Sequence, residues 1–155
     1  MHRLRFLFAL SACLAACLAL AGCMADLFHS TPKKFYYDIR AVTVLAGPKV
    51  PVALIEGVER RLSAAVDATV RPEVLPRVIL TVRVESMAGQ LGLDKQHNEA
   101  LVQVSAASVE TGEVVARGEF KVLTITNDPG LGPESLAEEI SARIRSLFYL
   151  RMPKM

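Results

Sequence analysis

Residues 78–85 read VILTVRVE, and the alternation of apolar and polar side chains in this stretch decides the fold. One face of the strand that it predicts would carry Val78, Leu80, Val82 and Val84. The opposite face would carry Thr81, Arg83 and Glu85. One dry face and one wet face are typical of an antiparallel sheet that packs against other elements on one side only.

Two further strands follow in the chain with the same alternation. Between residues 100 and 106, Ala100, Val102, Val104 and Ala106 alternate with Gln103 and Ser105. Residues 116–122 repeat the pattern, with Arg117, Glu119 and Lys121 on the polar side. Residues 110–113 (ETGE) between them indicate a hairpin turn. These two strands are therefore predicted to pair antiparallel.

A strand and a helix precede this group. Residues 36–45 (YYDIRAVTVL) are rich in aromatic and β-branched side chains and predict a first strand, whose imperfect alternation allows a bulge or an edge position. From residue 50 to residue 70 the period changes, because Ile55, Val58 and Leu62 recur at spacings of three and four. This pattern predicts an amphipathic helix that starts near Pro51 and stops at Arg71-Pro72.

A second helix closes the pattern. It begins at Pro133, and its apolar stripe consists of Leu136, Ile140, Ile144 and Leu147. The order is β-α-β-β-β-α, so two helices can cover the dry face of a mostly antiparallel four-stranded sheet. We expect a single α+β domain, a two-layer sandwich, over residues 35–155.

The first residues form a leader for export. Arg3 and Arg5 give a short basic start, and residues 6–22 contain no charged side chain over 17 positions. A membrane span needs about 20 apolar residues. The run is short for a span, and it ends in Leu20-Ala21-Gly22-Cys23 rather than in a basic cluster, so residues 1–22 are predicted to be a cleaved signal peptide.

These four residues resemble the lipobox of bacterial lipoprotein precursors. The resemblance implies a diacylglyceryl group on the Cys23 sulfur, cleavage between Gly22 and Cys23, and acylation of the new amino terminus. Residues 23–34 would then be a lipidated tether, since two or more acyl chains anchor a protein stably. The alternative is an ordinary signal peptide that is cut elsewhere, with Cys23 as a chance thiol.

Position 24 bears on which membrane holds the anchor. In enteric bacteria, an Asp directly after the lipidated cysteine retains a lipoprotein in the inner membrane. Met24 stands there instead. The resemblance therefore implies the periplasmic face of the outer membrane, with the inner membrane as the alternative.

Charge and cysteine content limit the partners. Two of the 18 basic side chains, Arg3 and Arg5, belong to the leader, which leaves 16 basic against 16 acidic side chains in the mature chain. A neutral domain argues against a nucleic-acid partner. Cys13 and Cys17 also lie in the leader, so the mature chain has no pair of cysteines for an intramolecular disulfide.

Catalytic chemistry has weak support in the sequence. The stretch 87–98 (MAGQLGLDKQHN) is predicted to be a long polar loop, in which Asp94 and His97, with Glu99 beside it, could hold a metal or act as an acid/base pair. A solvated loop without a site is favoured, because such centres normally draw several ligands from rigid elements. We predict no catalytic, metal or cofactor-binding residue, and hence no enzyme.

The apolar residues 148–150 (FYL) end the second helix and allow two interpretations. They can dock onto the sheet of the same domain, which amphipathic helices usually do, or they can enter a groove on a partner. The first interpretation is favoured.

The element order after a lipobox resembles the small outer-membrane lipoprotein that plugs the lipopolysaccharide-assembly barrel. This resemblance implies an accessory or binding role in envelope biogenesis, with an envelope protein as partner and a lipid as a further candidate ligand. The alternatives are an auxiliary lipoprotein of a lipid ABC transporter, a pilotin for a secretin, and a small tethered hydrolase.

Overall fold

The chain is described by a computed structural model over residues 34–152. The elements in chain order are β1 (Asp38–Ala46), α1 (Val52–Asp67), β2 (Arg77–Leu91), β3 (His97–Ser108), β4 (Val114–Ile125) and α2 (Gly132–Phe148), with a short 3-10 turn at Pro129–Leu131. The predicted α+β class and the β-α-β-β-β-α order are confirmed. The predicted signal peptide (1–22), the cleavage pair Gly22 and Cys23, and the tether as far as residue 33 lie outside the described residues.

The four strands form one sheet in the order β1-β2-β3-β4. The pair β1 and β2 is parallel, because α1 returns the chain to the end of the sheet where β1 began. The pairs β2–β3 and β3–β4 are antiparallel, as tight connections require. The strand β1 lies at an edge and has an irregularity between Ile39 and Ala41, so both features that its imperfect alternation allowed are present.

Both helices pack on one face of this sheet. The core includes the apolar face of β2 and the helix residues Leu62 and Ile144, all of which have no exposed surface. The stripe of α1 is turned slightly from the predicted one. Leu54 and Gly57 are buried beside Val58, whereas Ile55 is only partly buried.

The helices approach each other closely at Gly57. A β-carbon built there would lie 2.9 Å from the Ala137 β-carbon, well inside the normal carbon–carbon contact of about 3.5 to 4.0 Å. Glycine therefore permits this crossing. Beside it, Arg61 of α1 forms ion pairs with Glu134 and Glu138 of α2, the latter at 2.7 Å.

The prediction of a loop over residues 87–98 is wrong. Strand β2 continues to Leu91, β3 begins at His97, and these two residues pair across the ladder. Only residues 92–96 form the turn between them. Alternation of apolar and polar side chains did not reveal the extension, because its residues 88–91 are exposed on both sides.

The end of α2 belongs to the core, as the favoured interpretation had it. Phe148 is 1% exposed, and Leu150 packs against the core, whereas Tyr149 and Met152 remain exposed. Within residues 34–152, neither helix has the length and apolar character that a membrane crossing requires.

Candidate functional site

The sheet has a second face that neither helix covers. This face, which we call the open face, consists of the outward side chains of all four strands. Its polar centre follows from the strand register. Thr81 of β2 lies beside Ser105 of β3, and Ser105 lies beside Arg117 of β4, while Arg83 lies beside Gln103 in the next row.

A shallow depression of about 260 Å³ occupies this polar centre. Its lining includes Leu45, Thr81, Arg83, Gln103, Ser105 and Arg117. Hydroxyl and guanidinium groups offer several hydrogen-bond donors over a small area, while the Gln103 amide already donates to Glu119 Oε2 at 3.0 Å. The depression can therefore accept an anionic or carbonyl-bearing group.

The charged residues of the open face differ in whether they have partners. Arg83 pairs with Glu85 at 2.8 Å, and Lys121 pairs with Glu99 at 2.7 Å. Arg117 has neither a salt bridge nor a side-chain hydrogen bond to any other residue in the described part of the chain. Its guanidinium is thus the cation of this face that an incoming anion meets without displacing a protein carboxylate.

Apolar side chains flank the polar centre on both sides. Toward one end of the strands lie Ile79 and Val115, which are 42% and 43% exposed. Toward the other end, Leu123 and Ile125 of β4 are 62% and 65% exposed. Single exposed apolar residues are ordinary, but exposed apolar residues at both ends of one sheet face favour a surface that a partner covers.

The residues considered for catalysis lie in and near the β2–β3 turn. Asp94 Oδ1 lies 3.2 Å from His97 Nδ1, and both side chains are nearly half exposed. Glu99 lies on the same sheet face as His97 but pairs with Lys121 of β4. The structure therefore brings Asp94 and His97 into contact, while Glu99 has a partner on another strand.

The Asp94–His97 contact is explained by the turn. The Gln96 amide donates to the Asp94 carboxylate at 3.2 Å and lowers the pKa of Asp94, and His97 lowers it further. Gly92 has φ +85°, and a β-carbon there would lie 3.0 Å from both Asp94 Oδ1 and His97 Nδ1, so glycine permits this compact turn. Over residues 34–152, no group of three or more His, Cys, Asp or Glu side chains has the arrangement of a metal site.

A second charged cluster connects the two helices. Arg145 is only 8% exposed and donates to Glu138 Oε1 at 2.9 Å, while Arg61 binds Glu138 Oε2. These two guanidinium groups, Arg145 foremost, hold the pKa of Glu138 below its ordinary value. Because every member has a partner inside the cluster, we interpret it as a clamp between helices rather than as a binding site.

Sequence reasoning placed Arg83 and Arg117 on polar strand faces but did not bring them together. The missing information was the strand register, which sets Thr81, Ser105 and Arg117 in one row. The short hairpin between β3 and β4 is a sequence signal for the register of these two strands, since turn length fixes the register of an antiparallel pair.

Neither a protein-family model nor a curated protein matches the sequence. The chain is similar to the PelC dodecamer of Paraburkholderia phytofirmans, with 16% identity over 77% of this chain and 95% of that one, and a TM-score of 0.49. It is also similar to lipoprotein GNA1162 of Neisseria meningitidis, with 16% identity over 69% of this chain and 94% of that one, and a TM-score of 0.36.

A minor lipoprotein of Acinetobacter baumannii is a third similar structure, with 12% identity over 75% of this chain and 98% of that one, and a TM-score of 0.36. Two of these three proteins are thus named lipoproteins. Identities and TM-scores of this size establish neither a family nor an activity for this chain.

Proposed function

We propose that this chain is a lipid-anchored lipoprotein of the bacterial envelope whose domain is a non-enzymatic binding module. Support for the anchor comes from the leader, in which the basic start and the uncharged run end in Leu20-Ala21-Gly22-Cys23. Support for a binding role comes from the open face of the sheet. The proposed site of the anchor is the periplasmic face of the outer membrane, because Met24 and not an aspartate follows Cys23.

The observation that carries the binding role is the composition of the open face. An unpaired arginine, Arg117, lies on the edge strand β4, and the same sheet face exposes Ile79, Val115, Leu123 and Ile125 toward its two ends. A sheet face that only met water would be expected to carry polar side chains along its whole length. The apolar ends therefore favour a partner that covers this face.

The dimensions of the depression favour a protein partner over an enclosed lipid. Pockets for small molecules usually measure about 300 to 1,000 Å³ and surround most of the ligand. The depression on the open face has about 260 Å³, and five of its seven lining residues have polar side chains. A partner protein with an acidic side chain at the centre of an apolar surface fits this face, since that side chain would pair with Arg117.

Anchoring would make a modest interface sufficient. Two proteins held at the same membrane meet at a raised effective concentration, so a weak contact can give a stable association. The proposed partner is accordingly another envelope protein, in lipopolysaccharide assembly or lipid transport. A lipid ABC transporter and a secretin are the alternative systems.

The open face can be tested by photo-crosslinking in living cells. A photoreactive amino acid at Gln103 or Ser105 of the open face should give an adduct of defined mass with one envelope protein. The same amino acid at Ser63, on the outer side of α1, serves as the control and should give none. The mass of the adduct also separates a barrel, a transporter subunit and a secretin.

Matched substitutions test which side chains matter. Leu123→Asp should abolish the adduct and impair complementation of a deletion strain. Val52→Asp is the matched control, because Val52 is similarly exposed at 69% but lies on α1, and it should change neither result. Arg117→Ala should weaken the association about tenfold, equivalent to about 1.4 kcal/mol, while Arg60→Ala leaves it unchanged. Equal complementation by Leu123→Asp and wild type, with both folded, would refute the open face as the docking surface.

A further inference from the structure

The chain enters the domain at a fixed place beside the end of α2. The Phe35 amide donates to the Leu147 carbonyl at 2.8 Å, and the Phe35 ring lies 5.4 Å from the ring of the buried Phe148. The first residues of the domain are therefore held against the last turn of α2. The surface around this point, which we call the tether end, consists of the half-buried Arg71 and five exposed residues: Lys34, Tyr36, Tyr149, Arg151 and Met152.

Cations and tyrosine rings are interleaved on the tether end. The Lys34 ammonium lies 5.1 Å from the centre of the Tyr149 ring, and the Arg71 guanidinium lies 4.7 Å from the centre of the Tyr36 ring. The two tyrosine rings meet edge to face at 5.8 Å. Each tyrosine thus has a cation on it, and the two rings support each other.

Backbone geometry holds this surface outward. Tyr149 has φ +52°, a left-handed conformation that is uncommon for a tyrosine, and it ends α2. The Arg71 side chain donates to the carbonyls of Phe148 and Tyr149 at 2.8 and 3.0 Å, where the negative end of the helix dipole favours a cation. Tyr149 is consequently 47% exposed, and Met152 beside it is 70% exposed.

The local charge of the tether end is positive. In the sequence, Lys33 directly precedes Lys34, and Lys154 comes three residues after Arg151. Together with Arg71, the stretches of chain that contribute to the tether end therefore contain five cations. Within four positions of the three described cations, the acidic residues are Asp38, Asp67 and Glu73. Asp38 is paired with Arg40 at 2.7 Å. Cations therefore outnumber the remaining carboxylates here, although the mature chain as a whole is neutral.

The length of the tether keeps this surface near the anchor. Lys34 is eleven residues after Cys23, and a fully extended chain spans at most about 3.3 to 3.6 Å per residue, so the limit is about 40 Å. The chain from the proposed anchor therefore reaches the domain at the tether end, within this limit.

We propose that the tether end contacts the anionic headgroup region of the membrane that holds the anchor, and so fixes the orientation of the domain. This inference rests on the proposed lipid anchor. Tyrosine rings favour the membrane–water interface, and lysine and arginine favour anionic lipid surfaces. With the tether end on the lipid, β2 would lead away from the membrane to its far turn, over at most about 46 Å for fourteen rises of about 3.3 Å.

The chain contains no tryptophan, so single tryptophan probes report position without background. Tyr149→Trp places a probe on the tether end, and Leu93→Trp places the control probe in the turn after β2, where Leu93 is fully exposed. Each full-length lipidated protein is reconstituted into vesicles of phosphatidylethanolamine and phosphatidylglycerol with acyl chains brominated near the headgroup. Circular dichroism confirms that each variant is folded, and mass spectrometry of the purified chain confirms the lipid on Cys23.

We expect the fluorescence at position 149 to be quenched at least twofold by the brominated lipids and to shift to shorter wavelength, while that at position 93 is unaffected. Lys34→Glu with Arg151→Glu should remove most of the quenching at position 149. The control pair, Lys49→Glu with Lys95→Glu, makes the same change in net charge but lies in the loop after β1 and in the β2–β3 turn. It should leave the quenching at position 149 unchanged. Replacing phosphatidylglycerol by phosphatidylcholine should reduce the quenching as the first pair does.

Two other results would contradict this inference and can be told apart. If position 149 is quenched no more than position 93 in a lipidated, folded protein, the tether end does not contact the membrane. That result would leave the proposed anchor intact. A chain without lipid on Cys23 would overturn the proposed anchor and the membrane contact together.

Discussion

Gly57→Ala should destabilise the domain, although alanine is the better helix former. Alanine in a helix interior is favoured over glycine by about 0.8 to 1.0 kcal/mol. Against this gain, the new methyl group would lie 2.9 Å from the Ala137 β-carbon. Overpacking costs about 1 to 3 kcal/mol, and the upper part of that range applies because a β-carbon cannot move without its backbone. The expected net loss is about 2 kcal/mol.

A double-mutant cycle isolates this contact. In an Ala137→Gly background the obstructing methyl group is gone, so Gly57→Ala should now stabilise the domain by about 1 kcal/mol through helix propensity. The change of sign corresponds to a coupling energy of about 3 kcal/mol, at the upper end for residues in direct contact. Urea denaturation of the chain from Met24 onward, followed by circular dichroism, measures all four free energies. Stabilisation by Gly57→Ala in both backgrounds would refute the close helix crossing.

Three further perturbations test the core, the helix clamp and the absence of a catalytic centre. Ile144→Asp buries an unpaired carboxylate at a fully buried position and should abolish cooperative melting, whereas Glu59→Ala, on the exposed side of α1, should leave the Tm unchanged. Arg145 and Arg61 lower the pKa of Glu138, so its carboxylate stabilises the fold above the ordinary pKa of 4.5. This contribution is lost as the pH falls through the lowered pKa. Glu138→Gln should therefore flatten the dependence of Tm on pH in that acidic range. Complementation of a deletion strain should survive the double change Asp94→Ala with His97→Ala, and its loss in a folded double variant would restore a functional site at the β2–β3 turn.

The alternation in residues 78–85 was sufficient to predict a strand with one buried face, because burial on one side imposes a period of two on a strand. The helix periodicity likewise placed Leu62 and Ile144 in the core. The extension of β2 to Leu91 could not be predicted in this way, since a ribbon exposed on both sides has no apolar face. Asn98 shows the same limit. It is 2% exposed, and its amide donates to Thr126 Oγ1 at 3.0 Å, a partner that only the fold reveals.

The candidate surfaces were predicted less completely than the fold. Alternation assigned Arg83 and Arg117 to polar strand faces, but the row that joins Arg117 to Thr81 through Ser105 depends on register across three strands. The tether end depends on contacts between segments more than 70 residues apart, such as that of Arg71 with Phe148. Periodicity describes a residue relative to its own element and carries no information on such contacts.

The most direct test of the lipid anchor is metabolic labelling with a fatty acid, applied to the wild-type chain and to Cys23→Ser. A serine offers no sulfur for the diacylglyceryl group, and the lipoprotein peptidase cuts after lipidation. We predict that the wild-type chain carries the label and has lost residues 1–22, whereas Cys23→Ser carries none. Label that persists on the Cys23→Ser chain, or a wild-type chain that is exported without label, would contradict the account.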